Sequence, residues 1–268
     1  MAKVILITGA SSGIGKACAT YLAQKGHKVY GTSRKPSPPV QGYEMLILDV
    51  TNPAYVQQAV NTVISKEGKI DVLLNNAGFG LGGAFENFSE EEMHKEMEVV
   101  FFGMARMMKA VLPHMRKEKK GLIINVSSIM GFISLPFQAF YSASKFALEG
   151  LSESIRMEVK SFGINVALIN PGDFRTGFTA SRQKINAENL PNPYSDQFKT
   201  TLAIVEKDEN GGSDPLLIAK KVDKIINTSK PAFHYLVGRL DQRFAVYLKR
   251  FIPEKWFSAI ICGTYKLK

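Results

Sequence analysis

Residues 4–15 constrain this chain more than any other stretch. An apolar, β-branched run, Val4–Ile7, breaks into Thr8-Gly9-Ala10-Ser11-Ser12-Gly13-Ile14-Gly15 and then takes up helical spacing at Ala17, Tyr21 and Leu22. A strand that leaves through a glycine turn into a helix brings the next strand back parallel to the first, so helices must cover the sheet.

The rest of the chain repeats that alternation. Strand patterns fall at 28–32, 45–48, 71–75, 122–126 and 165–169. Between them, Asn52-Pro53 supplies a helix cap and first-turn proline, Gly68 a left-handed stop, and Ser89 with Glu92 a capping box for a helix from about Glu90. That helix carries a stripe of Met93, Met97, Val100, Phe101, Met104, Met108 and Val111. A helix led by Pro136 is expected through about Ser161, with another near 215–227 and a short strand at 233–237. The expected fold class is α/β: one doubly wound parallel sheet of Rossmann type with helices on both faces, residues 1–268 forming a single domain. Residues 177–213, polar and bearing Pro, Asn and Gly, are expected to act as a substrate lid, and 239–268 to form an amphipathic extension.

A glycine turn between strand and helix lets backbone approach a pyrophosphate, whose charge then meets the unpaired N–H groups of the helix terminus. Here the spacing is G-x-x-x-G-x-G, with Gly9, Ser11, Ser12, Gly13, Ile14 and Gly15 as the expected contacts. At the end of the second strand an acid would hold an unmodified adenosine ribose. This chain has Ser33 and Arg34 there and no acid within 31–35. A guanidinium fork suits a 2′-phosphate, which favours NADP(H) over NAD(H).

Ser128 ends a strand, and Tyr141 and Lys145 lie one helical turn apart on the following helix. An ammonium beside a phenol lowers its pKa from ~10 by about 1 to 3 units, which would make a proton donor and acceptor usable near neutrality. With Thr8 to Gly15, Asn75-Asn76-Ala77-Gly78 and Pro171-Gly172, these residues resemble the short-chain dehydrogenase/reductase family, in family order over roughly residues 3–177. Tyr141 through Leu151 is similar to members acting on hydroxysteroids and retinoids. The resemblance implies Tyr141 as general acid/base, Ser128 as anchor of the reacting oxygen and Lys145 as holder of the nicotinamide ribose. It further implies Asp49 and Val50 at the adenine, Asn76, Ala77 and Gly78 along the cofactor cleft, and Pro171, Gly172 and Thr176 at the nicotinamide carboxamide. No metal is expected. One departure stands out: the family's usual asparagine, three residues before the glycine of the long helix, is Val100 here. An amide that helps hold a relay water is replaced by hydrocarbon, so an altered proton relay is expected.

Phe79, Leu81, Phe132, Leu135, Phe137, Phe174 and Phe178 flank these motifs and divide between core packing and an apolar pocket. A hydrophobic ketone or secondary alcohol, such as a steroid, retinoid or lipid-derived carbonyl, is the expected substrate. The alternative is a regulatory NADP(H)-sensing protein with little turnover. The net charge of +10 raises a nucleic-acid reading, but no binding motif accompanies it. Five of those charges lie in 231–268, where seven bases accompany two acids among apolar residues. A pocket wall, a dimer contact and an interfacial membrane helix compete for that tail. No apolar run approaches the roughly 18 residues of a membrane span, and Cys18 and Cys262 form no disulfide framework. A cytoplasmic homodimer or homotetramer is expected, with peripheral membrane contact through the tail left open.

Overall fold

The computed structural model describes residues 2–36, 38, 40, 42–185 and 193–267. Strand β1 (Val4–Ile7) is buried at every position in a seven-stranded parallel sheet. Its alternation feeds two cores: Ile5 and Ile7 pack on one face, Val4 and Leu6 on the other. Helix α1 (Gly13–Gln24) crosses the first face to β2 (Lys28–Ser33), and β3 (Glu44–Ile47) adds outside β2. Helix α2 (Pro53–Glu67) crosses the second face to β4 (Val72–Asn75), on the other side of β1. It opens on Asn52, whose side-chain oxygen accepts the Ala54 N–H at 2.9 Å, and closes on Gly68 at φ 74°.

After a two-residue strand β5 (Leu81–Gly82), α3 (Glu90–Met97) starts at the Ser89 and Glu92 capping box. It runs through a π turn at Glu98–Phe102 into α4 (Gly103–Lys117). Next come β6 (Gly121–Val126), α5 (Ala139–Val159) and β7 (Ile164–Pro171). The chain continues with α6 (Phe178–Ser181), β8 (Gln183–Lys184), α7 (Ser195–Asn210), α8 (Leu216–Ile226), β9 (His234–Val237), α9 (Leu240–Leu248) and α10 (Glu254–Thr264). The strand order β3-β2-β1-β4-β6-β7-β9 reverses between β1 and β4, which opens a crevice at the carboxyl ends of those strands. β5 and β8 form a separate two-stranded sheet. Among the described residues no helix is long and apolar enough to cross a membrane.

One expectation is corrected. Pro136 does not lead a helix: Phe137 sits at φ +60°, Gln138 is the cap, and α5 begins at Ala139. The Phe137 carbonyl accepts the Gly83 N–H at 2.9 Å and its ring packs 5.5 Å from that of Phe198, contacts that hold the left-handed conformation. Residues 177–213, the expected lid, contain the 16-residue α7 alongside α6 and β8, and α7 buries Phe198, Thr201 and Val205; residues 186–192 lie outside the described residues.

Candidate active site

The glycine turn is a cradle that side chains would fill. Gly9 and Gly13 have φ of +67° and +53°, and a Cβ on Gly15 would lie 2.2 Å from the Gly9 carbonyl oxygen and 2.5 Å from Asn76 Nδ2. That Nδ2 donates to the carbonyls of Thr8 at 3.0 Å and Gly9 at 3.1 Å. Thr8 Oγ1 in turn accepts the N–H groups of Asn76 at 2.9 Å and Ala77 at 3.0 Å. The end of β4, with exposed Gly78 next in line, therefore buttresses the turn. Ser11 and Ser12 are exposed, and Ser12 caps α1 without a side-chain bond, so the first N–H groups face outward uncapped. Ile14 packs into the core behind them. From across the crevice Thr176 comes within 3.3 Å of where a Cβ on Gly13 would stand. The shape and uncapped N–H groups fit a dinucleotide pyrophosphate.

The other expected cofactor residues gather around this crevice, with some engaged in structural contacts. Ala10 N–H donates to Thr32 at 2.8 Å and Leu48 N–H to Ser33 at 2.9 Å, which draws the ends of β2 and β3 toward the turn. Arg34 is exposed there. Asp49 Oδ1 accepts the Thr51 N–H at 2.9 Å and hydroxyl at 2.8 Å, while Val50 packs against Gly103 and its carbonyl accepts from Arg106 at 3.4 Å. Pro171 ends β7, and Gly172 N–H donates to Val237 at 2.9 Å.

The three expected catalytic side chains converge. Ser128, at the start of a 3₁₀ turn after β6, faces the Tyr141 phenol closely enough to act on its ionisation, and its Oγ accepts the Met130 N–H at 3.1 Å. Lys145 is buried, donates from Nζ to the Val126 carbonyl at 3.0 Å and lies 5.4 Å from the centre of the Tyr141 ring. The electrostatics differ from expectation. Burial raises the Tyr141 phenol above its usual range, the Glu96 charge adds to that, and the nearby Ser128 hydroxyl opposes it. Burial brings Lys145 down to about 8 against the pull of Glu96 and Glu149. The ammonium is held on a backbone carbonyl, and in this arrangement the phenol gains no net lowering.

A family profile described as short chain dehydrogenase matches residues 3–187. The chain belongs to the short-chain dehydrogenase family. It is 48% identical over 266 residues to a 3-ketodihydrosphingosine reductase of Bacteroides thetaiotaomicron, covering 99% of each chain. It is 32% identical over 249 residues to retinol dehydrogenase 8 of Bos taurus, covering 85% of this chain and 79% of that one. A crystal structure of a short-chain dehydrogenase from Streptomyces avermitilis matches with a TM-score of 0.82 at 32% identity, covering 100% of this chain and 98% of that one. The protein is an oxidoreductase of that family.

Behind its site, a buried ladder joins strands and helices: Asn75 Nδ2 donates to Asn125 Oδ1 at 2.9 Å, and Asn125 Nδ2 donates to Ser152 Oγ at 2.8 Å. Val100 is wholly buried, and its Cγ2 lies 3.9 Å from where a Cβ on Gly78 would stand, so the departure is filled with hydrocarbon. The sequence reading overlooked Glu96, four residues before Val100 and also 0% exposed. Glu96 Oε2 accepts the Leu81 N–H at 2.8 Å, Oε1 has no partner, and burial pushes the carboxyl up to about 8. A lone acid within an apolar helical stripe was the available signal. Arg182 was overlooked as well: it is buried, ion-paired with Glu209 of α7 and 5.6 Å from the Phe178 ring.

Proposed function

We propose that the protein is an NADP(H)-dependent oxidoreductase interconverting an apolar ketone and its secondary alcohol, with Tyr141 as general acid/base. The observation that carries this reading is the convergence of Tyr141 and Lys145, one turn apart on α5 with the ammonium 5.4 Å from the ring centre, on Ser128 at the carboxyl end of β6. NADP(H), when bound, supplies or takes the hydride. Ser128 holds the reacting oxygen, Tyr141 gives or takes its proton, and Lys145 fixes the cofactor ribose. Gly9, Ser11, Ser12, Gly13, Ile14 and Gly15 line the pyrophosphate, with Asn76, Ala77 and Gly78 along the cleft. Exposed Arg34 and neighbouring Ser33 supply the preference for a 2′-phosphate. Asp49 and Val50 border the adenine; Pro171, Gly172 and Thr176 border the carboxamide.

The apolar surroundings of Tyr141 support the substrate class. The Phe178 ring centre is 5.7 Å from that of Tyr141, and Phe137 and Phe198 pack beside Gly82 under α7. Leu81 and Phe174 serve as core instead. Residues 177–213 act as the lid, and the 3-ketodihydrosphingosine reductase among the relatives supports a ketone substrate of sphingoid type. Family resemblance extends the proposal to a cytoplasmic homodimer or homotetramer.

The test is NADPH and NADH oxidation by the wild-type protein and Tyr141→Phe, with a long-chain 3-ketone against short polar ketones. Expected are preference for NADPH and the long chain, and a fall in kcat of about 10² to 10⁴ for Tyr141→Phe, with NADPH binding retained. Turnover insensitive to Tyr141 overturns the mechanism; tight NADPH binding without turnover on any carbonyl supports the sensing alternative.

A further inference from the structure

Helices α9 and α10 each have an apolar face to spare. Inward, Ala245, Val246, Phe257 and Ile261, with Ile252 between the helices, pack on Phe132, Ile133 and Leu135 of the loop after β6. Outward, Leu240, Phe244, Tyr247 and Phe251 recur at helical spacing and are 76%, 63%, 50% and 83% exposed. On α10, Trp256 and Ile260 are 67% and 48% exposed. These faces point away from the core that fixes both helices, which rules out the pocket-wall reading for them. Exposed apolar surface on this scale marks a contact.

The charges around the stripe choose the occupant. Arg250 and Lys255 are exposed between these residues and Lys266 beyond them, and 231–268 holds seven bases against two acids. An isologous contact with a second copy would set two such cationic patches against each other. Anionic lipid headgroups neutralise the cations, while the acyl boundary takes Phe251, Trp256 and Ile260. The same unit borders the active site. Gln242 of α9 accepts the Asp173 N–H at 3.0 Å beside Gly172, and the inner cluster packs on the loop that follows Ser128.

We propose that the outer face of α9 and α10 docks the protein peripherally on an anionic lipid surface. Docking places the crevice mouth beside the bilayer, where an apolar ketone would be dissolved, yet the binding itself does not depend on which reaction is catalysed.

Trp256 is the chain's single tryptophan and reports on this face directly. Its emission is followed with intact protein and vesicles of phosphatidylcholine alone or mixed with phosphatidylglycerol. The expected result is a blue shift and protection from acrylamide with the anionic vesicles only, reversed by raised salt. A Phe251→Ser/Ile260→Ser variant should lose co-sedimentation by about tenfold or more while its melting temperature and NADPH binding hold. Unchanged Trp256 emission at excess anionic vesicles in low salt overturns the proposal. So does a lipid-independent dimer that the same two substitutions convert to monomer, since the face would then belong to a second copy.

Discussion

A carboxyl at position 96 stands where hydrocarbon would pack without cost. Desolvation disfavours the charged form, and one backbone N–H does not replace a shell of water, so Glu96 titrates at about 8. Its folded pKa therefore lies above its ordinary value of 4.5. The stability linked to its proton is complete below about 4.5 and is lost as pH rises through about 8. Gln keeps the shape without that loss, so the melting temperature of Glu96→Gln should rise relative to wild type across this window. The charge of Glu96 also holds the Lys145 ammonium up against burial. In Glu96→Gln the alkaline side of the kcat/KM profile should move to lower pH. A constant melting difference together with an unmoved profile would contradict both assignments. Phe137 is governed from a distance in the same way: its left-handed backbone is set by Gly83 and Phe198, which lie far along the chain.

At the scale of elements, the glycine turn and α1 work as one part. Gly15 is the position where Gly9, Asn76 and the helix meet too closely for a Cβ. Gly15→Ala should cost about 1 to 3 kcal/mol of stability and weaken NADPH binding sharply, read by thermal unfolding and fluorescence titration. Wild-type affinity in that variant would mean the turn does not hold the cofactor. The helical run from Glu90 to Lys117 was legible only in part. Its methionine stripe could be read, but the π turn at Glu98–Phe102 rotates α4 relative to α3, and Phe102 ends up 48% exposed. Helix α7 was not read, although Phe198, Leu202 and Val205 have helical spacing within the polar stretch.

Across the whole molecule, strand order puts the glycine turn, the end of β4 and the Ser128 turn on one rim, and the last two helices close one side of it. A chain ended at Gly238 would uncover Ile133, Phe132 and Leu135 and lose the Gln242 brace on Asp173. It should melt lower and bind an apolar dye, and an unchanged melting temperature would show the tail to be dispensable. By itself the sequence determined the α/β alternation, the caps at Asn52, Gly68 and Ser89, the glycine cradle and the Ser128, Tyr141, Lys145 set, because each depends on near neighbours and on periods of two and 3.6 residues. Tertiary structure alone decided the ionisation of Tyr141, Lys145 and Glu96, the backbone of Phe137 and which face of α9 stays bare. Those properties arise from burial and from partners distant in the chain, and no local pattern encodes them.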